Sequence, residues 1–269
     1  MRIAKEGWGA RFIACRNADG SWGERFYQPK WISSHYTLLD LRTLELDPDN
    51  KLVRASIKKI LTEEKKPDGG LGPARSIPVS DVCVNGMFLN YACYFGAPEP
   101  DLTSVVDFIL AQRMEDGGFN CLKNTSGARH SSLHPTLSVA EGIREYEANG
   151  YSYRLEELKQ AAAASREFML RHRLYRSQHS GETISPQFLR LAFPPRWKFN
   201  ILRALDQAGT SAIHDQPRGW SQRRPRVLSS GTFRPSRLGS SPAPQVVQAG
   251  LLSISGPHSI GQAAARLVA

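Results

Sequence analysis

The sequence predicts an all-α protein built from repeated pairs of helices, and two observations carry this prediction. An Asp-Gly turn followed closely by a large apolar residue begins at Asp19, Asp68 and Asp116, and these aspartates lie 49 and 48 residues apart. The stretches between the turns carry apolar residues at helical spacing and end at Gly or Pro breaks. A fixed period in this range is typical of repeat proteins, in which each helix pair buries its apolar face against its neighbours.

The first repeat supplies three predicted helices. Residues 2–16 carry apolar side chains near helical spacing, and Gly20 ends the segment because glycine enters the left-handed region without a Cβ clash. Residues 34–46 are rich in Leu and stop at an Asp-Pro-Asp sequence at 47–49. Residues 51–65 have a basic face opposite an apolar one, which is the pattern of an amphipathic helix on the outside of an array.

The later repeats follow the same plan. After each Asp-Gly-Gly turn the sequence predicts an apolar helix, then a break that contains Gly, and then a second helix. A loop with short helical turns at 175–196 precedes the last predicted helix. The apolar helices suit an inner layer and the charged ones an outer layer of a curved array. These predicted helices are 81–95, 101–114, 134–148, 154–172 and 197–208.

The net charge, the apolar runs and the cysteine pattern limit the classes of function. The chain of 269 residues has a net charge of +10, of which seven charges come from the Arg residues of 216–269, so residues 1–215 carry only +3. We therefore predict no nucleic-acid partner. No run approaches the about 18 apolar residues of a membrane span, and the four cysteines form no CxxC pair. We expect a cytoplasmic protein with reduced thiols, with peripheral attachment to a membrane as the alternative.

The end of the chain differs in composition. Residues 217–257 contain six Pro, many Ser and Arg, and no acidic residue. Such a segment cannot bury enough apolar surface to offset the entropy of ordering. We therefore predict a repeat domain at 1–210 and a disordered basic tail at 211–269.

The repeated turns resemble those of the terpenoid cyclase and protein prenyltransferase superfamily over about residues 2–208. The third turn has the full Gln-x-x-x-Asp-Gly-Gly-aromatic pattern, at Gln112 to Phe119, whereas Cys15 and Glu64 stand at the Gln position of the other two. The resemblance implies an α/α toroid, with an inner ring of helices around an isoprenoid-binding cavity. Because a closed ring of this kind has five or six inner helices and we count about four, we expect an incomplete toroid. Either a partner subunit or a second copy would complete it.

The resemblance also implies a metal. Protein prenyltransferases hold zinc with an Asp-x-Cys at the start of one inner helix and a His at the start of the next, which here correspond to Asp81, Cys83 and His134. Three such ligands leave zinc an open fourth position. Cys121 is an alternative third ligand in place of Asp81, and His130 is a spare.

Each of these residues also has an ordinary structural explanation. Cys83 is a small apolar side chain suited to a core, Asp81 suits the positive end of a helix, and His134 suits a helix start. The sequence leaves these alternatives open.

The substrate residues of the family are matched only in part. Arg75 fits the first position of the diphosphate-binding run, but Pro78 and Val84 replace its Lys and Tyr, and His35 lies near the position of a phosphate-contacting His. The remaining candidates are a cation and aromatic side chains suited to an apolar cavity. They are Arg196, Phe88, Tyr91 and Trp197.

The function that the resemblance implies is the handling of an isoprenoid or another apolar small molecule, with zinc-dependent prenyl transfer as the leading activity. Cyclisation of the squalene type needs an Asp-x-Asp-Asp acid, and the nearest sequence, at 47–50, lacks the fourth acid. The alternative is a non-catalytic toroid, truncated or decayed, that acts in binding or as a scaffold.

Overall fold

The computed structural model describes residues 2–214, with side chains as far as Gln207. This part of the chain is all-α, since it contains helices and only two isolated β-bridges, Lys65 with Leu71 and Arg176 with Thr183. The tail expected at 211–269 lies outside the described residues except for 211–214, which belong to the last helix. The helices are α1 (Gly7–Ala14), α2 (Ser34–Thr43), α3 (Lys51–Glu63), α4 (Val82–Tyr94), α5 (Glu99–Ala111), α6 (Lys123–Ser126), α7 (Leu133–Ala148), α8 (Leu155–Arg171) and α9 (Ile201–His214), with a 3-10 helix at Pro186–Leu189.

Every helix predicted from the periodicity is present, although the first begins at Gly7 rather than at residue 2 and ends at Ala14 rather than at 16. The last helix begins at Ile201 rather than at 197 because the Asn200 side chain accepts the backbone N–H of Arg203 (3.0 Å). The helix predicted to reach residue 46 ends at Thr43, and Glu45 then adopts a left-handed φ of 56°. The four-residue α6 was not predicted, since it is too short to show a period.

By their contacts the helices fall into two sets, which we call inner and outer. α2, α4, α7 and α9 contact one another in chain order, while α1, α5 and α8 contact α2, α4 and α7 respectively. Twelve of the thirteen α4 residues are buried, whereas α3 buries one stripe that contains Val53, Ile57 and Ile60. These exposure patterns agree with the inner and outer layers that the composition predicts.

The α4 and α7 helices make the closest approach, and glycine permits it. Gly86 of α4 and Gly142 of α7 face each other, so that a Cβ on Gly142 would overlap the Gly86 carbonyl oxygen. A Cβ on Gly86 would lie 2.7 Å from the Val139 backbone nitrogen. The two backbones are therefore in direct contact at this point.

The three Asp-Gly turns have the same backbone hydrogen bonds. The N–H groups of Gly20, Gly69 and Gly117 donate to the carbonyl three residues earlier, at 3.0, 2.9 and 3.0 Å, and all three glycines have φ between 87° and 94°. This conformation is costly for any residue with a Cβ. At the second and third turns a Cβ would also lie 3.0 Å from a backbone oxygen of the following outer helix.

A side-chain clasp joins each turn to the inner helix that follows it. The apolar residue after the turn is buried, and both its N–H and its carbonyl bond to one polar side chain in the first turn of the helix or at its start. The second clasp is the best formed, because Asn85 accepts from Leu71 N (2.9 Å) and donates to Leu71 O (2.9 Å). The other clasps are Trp22 with Ser34 and Phe119 with Thr136.

The segment before α9 returns to α2. Arg196 donates to Asp40 Oδ2 (3.0 Å) across 156 residues, and the Asp40 side chain is only 4% exposed. Burial raises the pKa of Asp40, whereas Arg196 opposes that shift through its hydrogen bond and charge. Lys30 lies 5.0 Å from the ring centres of both Trp31 and Trp197, which gives a second contact between the two ends of the array.

Candidate metal centre

One carboxyl group and two thiols converge at the start of α4. The ligand atoms of Asp81, Cys83 and Cys121 all lie within 4.8 Å of one another. Asp81 is the N-cap of α4, and its Oδ1 accepts the N–H groups of Cys83 (2.8 Å) and Val84 (3.0 Å). The same oxygen accepts the Cys121 thiol (3.3 Å). Asp81 therefore caps the helix and belongs to a group that could hold a metal ion.

Two neighbouring repeats deliver these side chains. Asp81 and Cys83 belong to the first turn of α4 in the second repeat, whereas Cys121 follows the buried Phe119 of the third turn. Asn124 of α6 donates to the Ser80 carbonyl (2.7 Å), directly before Asp81. This bond holds the Cys121 segment against the start of α4, and no pattern in the sequence indicates it.

Burial and the neighbouring groups favour the uncharged forms of Asp81 and Cys121 when no cation is bound. Burial raises the pKa of Asp81, against the opposing backbone hydrogen bonds from Val84 and Cys83. The pKa of the Cys121 thiol is raised by its hydrogen bond with Cys83, by burial, and by the charges of Cys83 and Asp81. A divalent cation would remove the mutual repulsion of the three anions.

His134 lies outside this group. Its Nδ1 accepts the backbone N–H of Phe199 (2.8 Å), and its ring packs at 5.0 Å from Trp197 and 5.2 Å from Phe188. Burial lowers the pKa of His134. The spare candidate His130 is exposed, and its carbonyl accepts the Asn120 side chain (2.7 Å). Of the predicted ligands, the structure brings together Asp81, Cys83 and the alternative Cys121.

The predicted substrate residues are spread over different environments. Arg75 is exposed and pairs with Glu64 (2.8 Å), while Arg196 pairs with the buried Asp40. Phe88 and Tyr91 are completely buried, and Trp197 is half-buried beside Lys30. Of these residues, only Arg75 lines either of the two cavities described below.

Two cavities lie among the described residues. A cavity of about 430 Å³ is lined by Asp68, Asp107 and Phe108 among others, and one of about 300 Å³ by Asp19, Lys59 and Arg75 among others. Neither includes Asp81, Cys83 or Cys121 in its lining. Among residues 2–214, no helix is long enough and apolar enough to cross a bilayer.

An aromatic cluster that the sequence did not indicate surrounds His35. Its ring packs against Phe26 (5.3 Å), Tyr27 (5.2 Å) and Tyr91 (5.7 Å), and its Nδ1 lies 3.3 Å from the Tyr91 hydroxyl. The His35 Nε2 is buried without a hydrogen-bond partner. Burial lowers the pKa of His35 to about 3, so it is an uncharged core residue and not a cation that faces a phosphate.

This burial predicts a pH dependence of stability. Because the unfolded His35 takes up a proton at its ordinary pKa of 6.5 and the folded one only near 3, stability falls as the pH drops through this window. Between pH 7 and pH 5 the His35 contribution should be about 2 kcal/mol. Urea unfolding followed by circular dichroism should show that this loss is smaller by that amount in His35→Gln. The exposed His179→Gln variant should keep the wild-type slope, and an equal slope in both variants would rule out this assignment.

We compared the chain with known families, proteins and structures. No family model, no curated protein and no solved structure matches this chain.

Proposed function

We propose that the chain is an isoprenoid-handling protein of the terpenoid cyclase and prenyltransferase type, in which zinc is held by Asp81, Cys83 and Cys121. The observation that carries this proposal is the convergence of these three ligand atoms within 4.8 Å at the start of an inner helix. The row of α2, α4, α7 and α9 with outer helices behind it supports an α/α toroid that is incomplete.

The donor set fits zinc. Two thiolates and one carboxylate are ligands that zinc accepts, and three protein ligands leave the fourth position that catalytic zinc sites keep open. Zinc in this position would bind the thiol of a substrate and favour its deprotonation. The separation of the three ligand atoms needs only small side-chain shifts for all of them to contact one ion.

The residues of this chain would place the thiol and its reaction partner. Asp81 keeps its position through the two backbone N–H groups that it caps, which orients one ligand before any metal arrives. The charge of Lys30 acts on Asp81, and its ammonium group lies over the Trp31 and Trp197 rings. An exposed cation beside the group is suited to receive the anionic part of a substrate.

The metal content of the purified full-length chain tests the proposal. We expect about one zinc per chain by plasma mass spectrometry, lost in Cys83→Ser and in Cys121→Ser and retained in the exposed-cysteine control Cys15→Ser. His134→Gln should also retain zinc. Loss in His134→Gln with retention in Cys121→Ser would instead select the Asp81, Cys83 and His134 set, and a metal-free wild-type chain that still folds would refute the zinc site.

A second function has its own support. Phe88 and Tyr91 are fully buried by neighbouring side chains, which favours a core role and a non-catalytic binding or scaffold protein. Incubation of the zinc-loaded chain with isoprenoid diphosphates and a thiol peptide separates the two. A thioether product detected by mass spectrometry supports transfer, whereas zinc binding without any product supports the scaffold.

A further inference from the structure

We propose that Cys83 and Cys121 are a reversible modification site, at which the two thiols are oxidised to a disulfide when no metal is bound. The metal-protection part of this proposal rests on the proposed function, whereas disulfide formation in the metal-free chain does not. The two Sγ atoms lie within 4.8 Å of each other although the residues belong to different repeats.

The geometry needs only a short closing movement. A disulfide requires an S–S distance of about 2.0 Å, and rotation about one Cα–Cβ bond moves a sulfur by an amount comparable to the remaining gap. Cys121 belongs to the short connection between Phe119 and α6, whereas Cys83 is fixed in the first turn of α4. Cys121 is also partly exposed while Cys83 is 8% exposed, so a small oxidant reaches Cys121 first.

The other two cysteines do not share this arrangement. Cys15 is exposed and Cys93 is completely buried, and neither belongs to the group formed by Asp81, Cys83 and Cys121. The pair is therefore distinguished by its position and not by the general reactivity of thiols in the chain.

A small disulfide such as oxidised glutathione supplies the oxidising equivalents. The Cys121 thiol gives up its proton and attacks one glutathione sulfur, which forms a mixed disulfide and releases one glutathione. The Cys83 thiolate then attacks the Cys121 sulfur, which forms the protein disulfide and releases the second glutathione. The two protein thiol protons end on the two released glutathione thiolates, so that two thiols are oxidised and one glutathione disulfide is reduced.

Disulfide formation and metal binding exclude each other at Cys83 and Cys121. Oxidation removes both thiolates and leaves Asp81 as the single remaining ligand of the group, which cannot hold zinc alone. Conversely, a metal ion that occupies both sulfurs removes them from exchange. The oxidation state of the pair would thus decide whether the chain can bind its metal.

Peptide mapping of the full-length chain tests this proposal. Chelator-treated Cys15→Ser protein is incubated with oxidised glutathione, its free thiols are blocked, and trypsin is added. We expect a cross-link between peptides 76–113 and 114–123, lighter by two hydrogens than their sum, with fragment spectra that place it on Cys83 rather than on Cys93. The Cys121→Ser variant should lose this species, and dithiothreitol should reverse it.

A second experiment repeats the oxidation with chain that has been loaded with zinc beforehand. We expect zinc to slow cross-linking at least tenfold in the folded chain, whose fold is verified by circular dichroism before and after oxidation. Zinc binding without any cross-link in the metal-free chain would overturn the disulfide and leave the metal site intact. Cross-linking at the same rate with and without zinc would support the disulfide and count against the metal site.

Discussion

A Gly142→Ala substitution is expected to lower the free energy of unfolding by about 3 kcal/mol. The added Cβ would overlap the carbonyl oxygen of Gly86, which is backbone and cannot turn aside as a side chain would. In an open helix position the same substitution would stabilise by about 1 kcal/mol through helix propensity. A net loss therefore reports the contact between α4 and α7, and chemical denaturation of the variant would measure it.

Two further variants control this result. Ala148→Val adds bulk to an exposed position of the same helix, and we expect a change below about 0.5 kcal/mol. Gly86→Ala should destabilise by a similar amount to Gly142→Ala. The double variant should lose less than the total of the two single effects, because the first Cβ already separates the two backbones. Strict additivity would mean that the two glycines act independently.

An Asn85→Ala substitution should lower stability by about 3 kcal/mol. Asn85 is fully buried and makes three hydrogen bonds, two to the backbone of Leu71 and one to the Asp81 carbonyl (2.8 Å). Its removal leaves the buried N–H of Leu71 without a partner, whereas the Leu71 carbonyl keeps the N–H of Asp81 (3.0 Å). An unpaired buried N–H costs about 1–3 kcal/mol, and the cavity left by the amide adds to this cost. Urea unfolding of the variant tests the expectation.

The same helix offers a matched control for this substitution. Asn90 is also buried in α4 but makes a single longer hydrogen bond, to the Glu141 carbonyl (3.3 Å). We expect Asn90→Ala to cost about 1 kcal/mol. Equal losses in both variants would show that the clasp between turn and helix adds nothing beyond the burial of an amide.

Local features of the fold were predictable from the sequence, and the clasps were not. The Asp-Gly turns and the apolar periods depend on residues a few positions apart, so both can be identified in one sequence. The clasp is made by Ser34 in the first repeat, Asn85 in the second and Thr136 in the third. These three share a role but no residue type, because any side chain that both donates and accepts a hydrogen bond can fill the position.

The group formed by Asp81, Cys83 and Cys121 was likewise predictable from the sequence only in part. Asp81 and Cys83 are two positions apart at one helix start, so their proximity follows from local structure. The third member depends on tertiary contacts: Asn124 holds the Cys121 segment in place, whereas the His134 ring is held among Phe188, Trp197 and the N–H of Phe199. Because Phe199 lies 65 residues beyond His134, no spacing within the repeats could indicate this contact.

The contact between Arg196 and Asp40 has a consequence for the order in which the chain is made. Asp40 is made before Arg196, and its buried carboxylate receives its cation only after 156 further residues have been added. A nascent chain that ends before Arg196 must keep Asp40 in water or protonate it, since a buried unpaired carboxylate is costly. The first repeat therefore reaches its final packing with a charged Asp40 only after the segment that precedes α9 has been made.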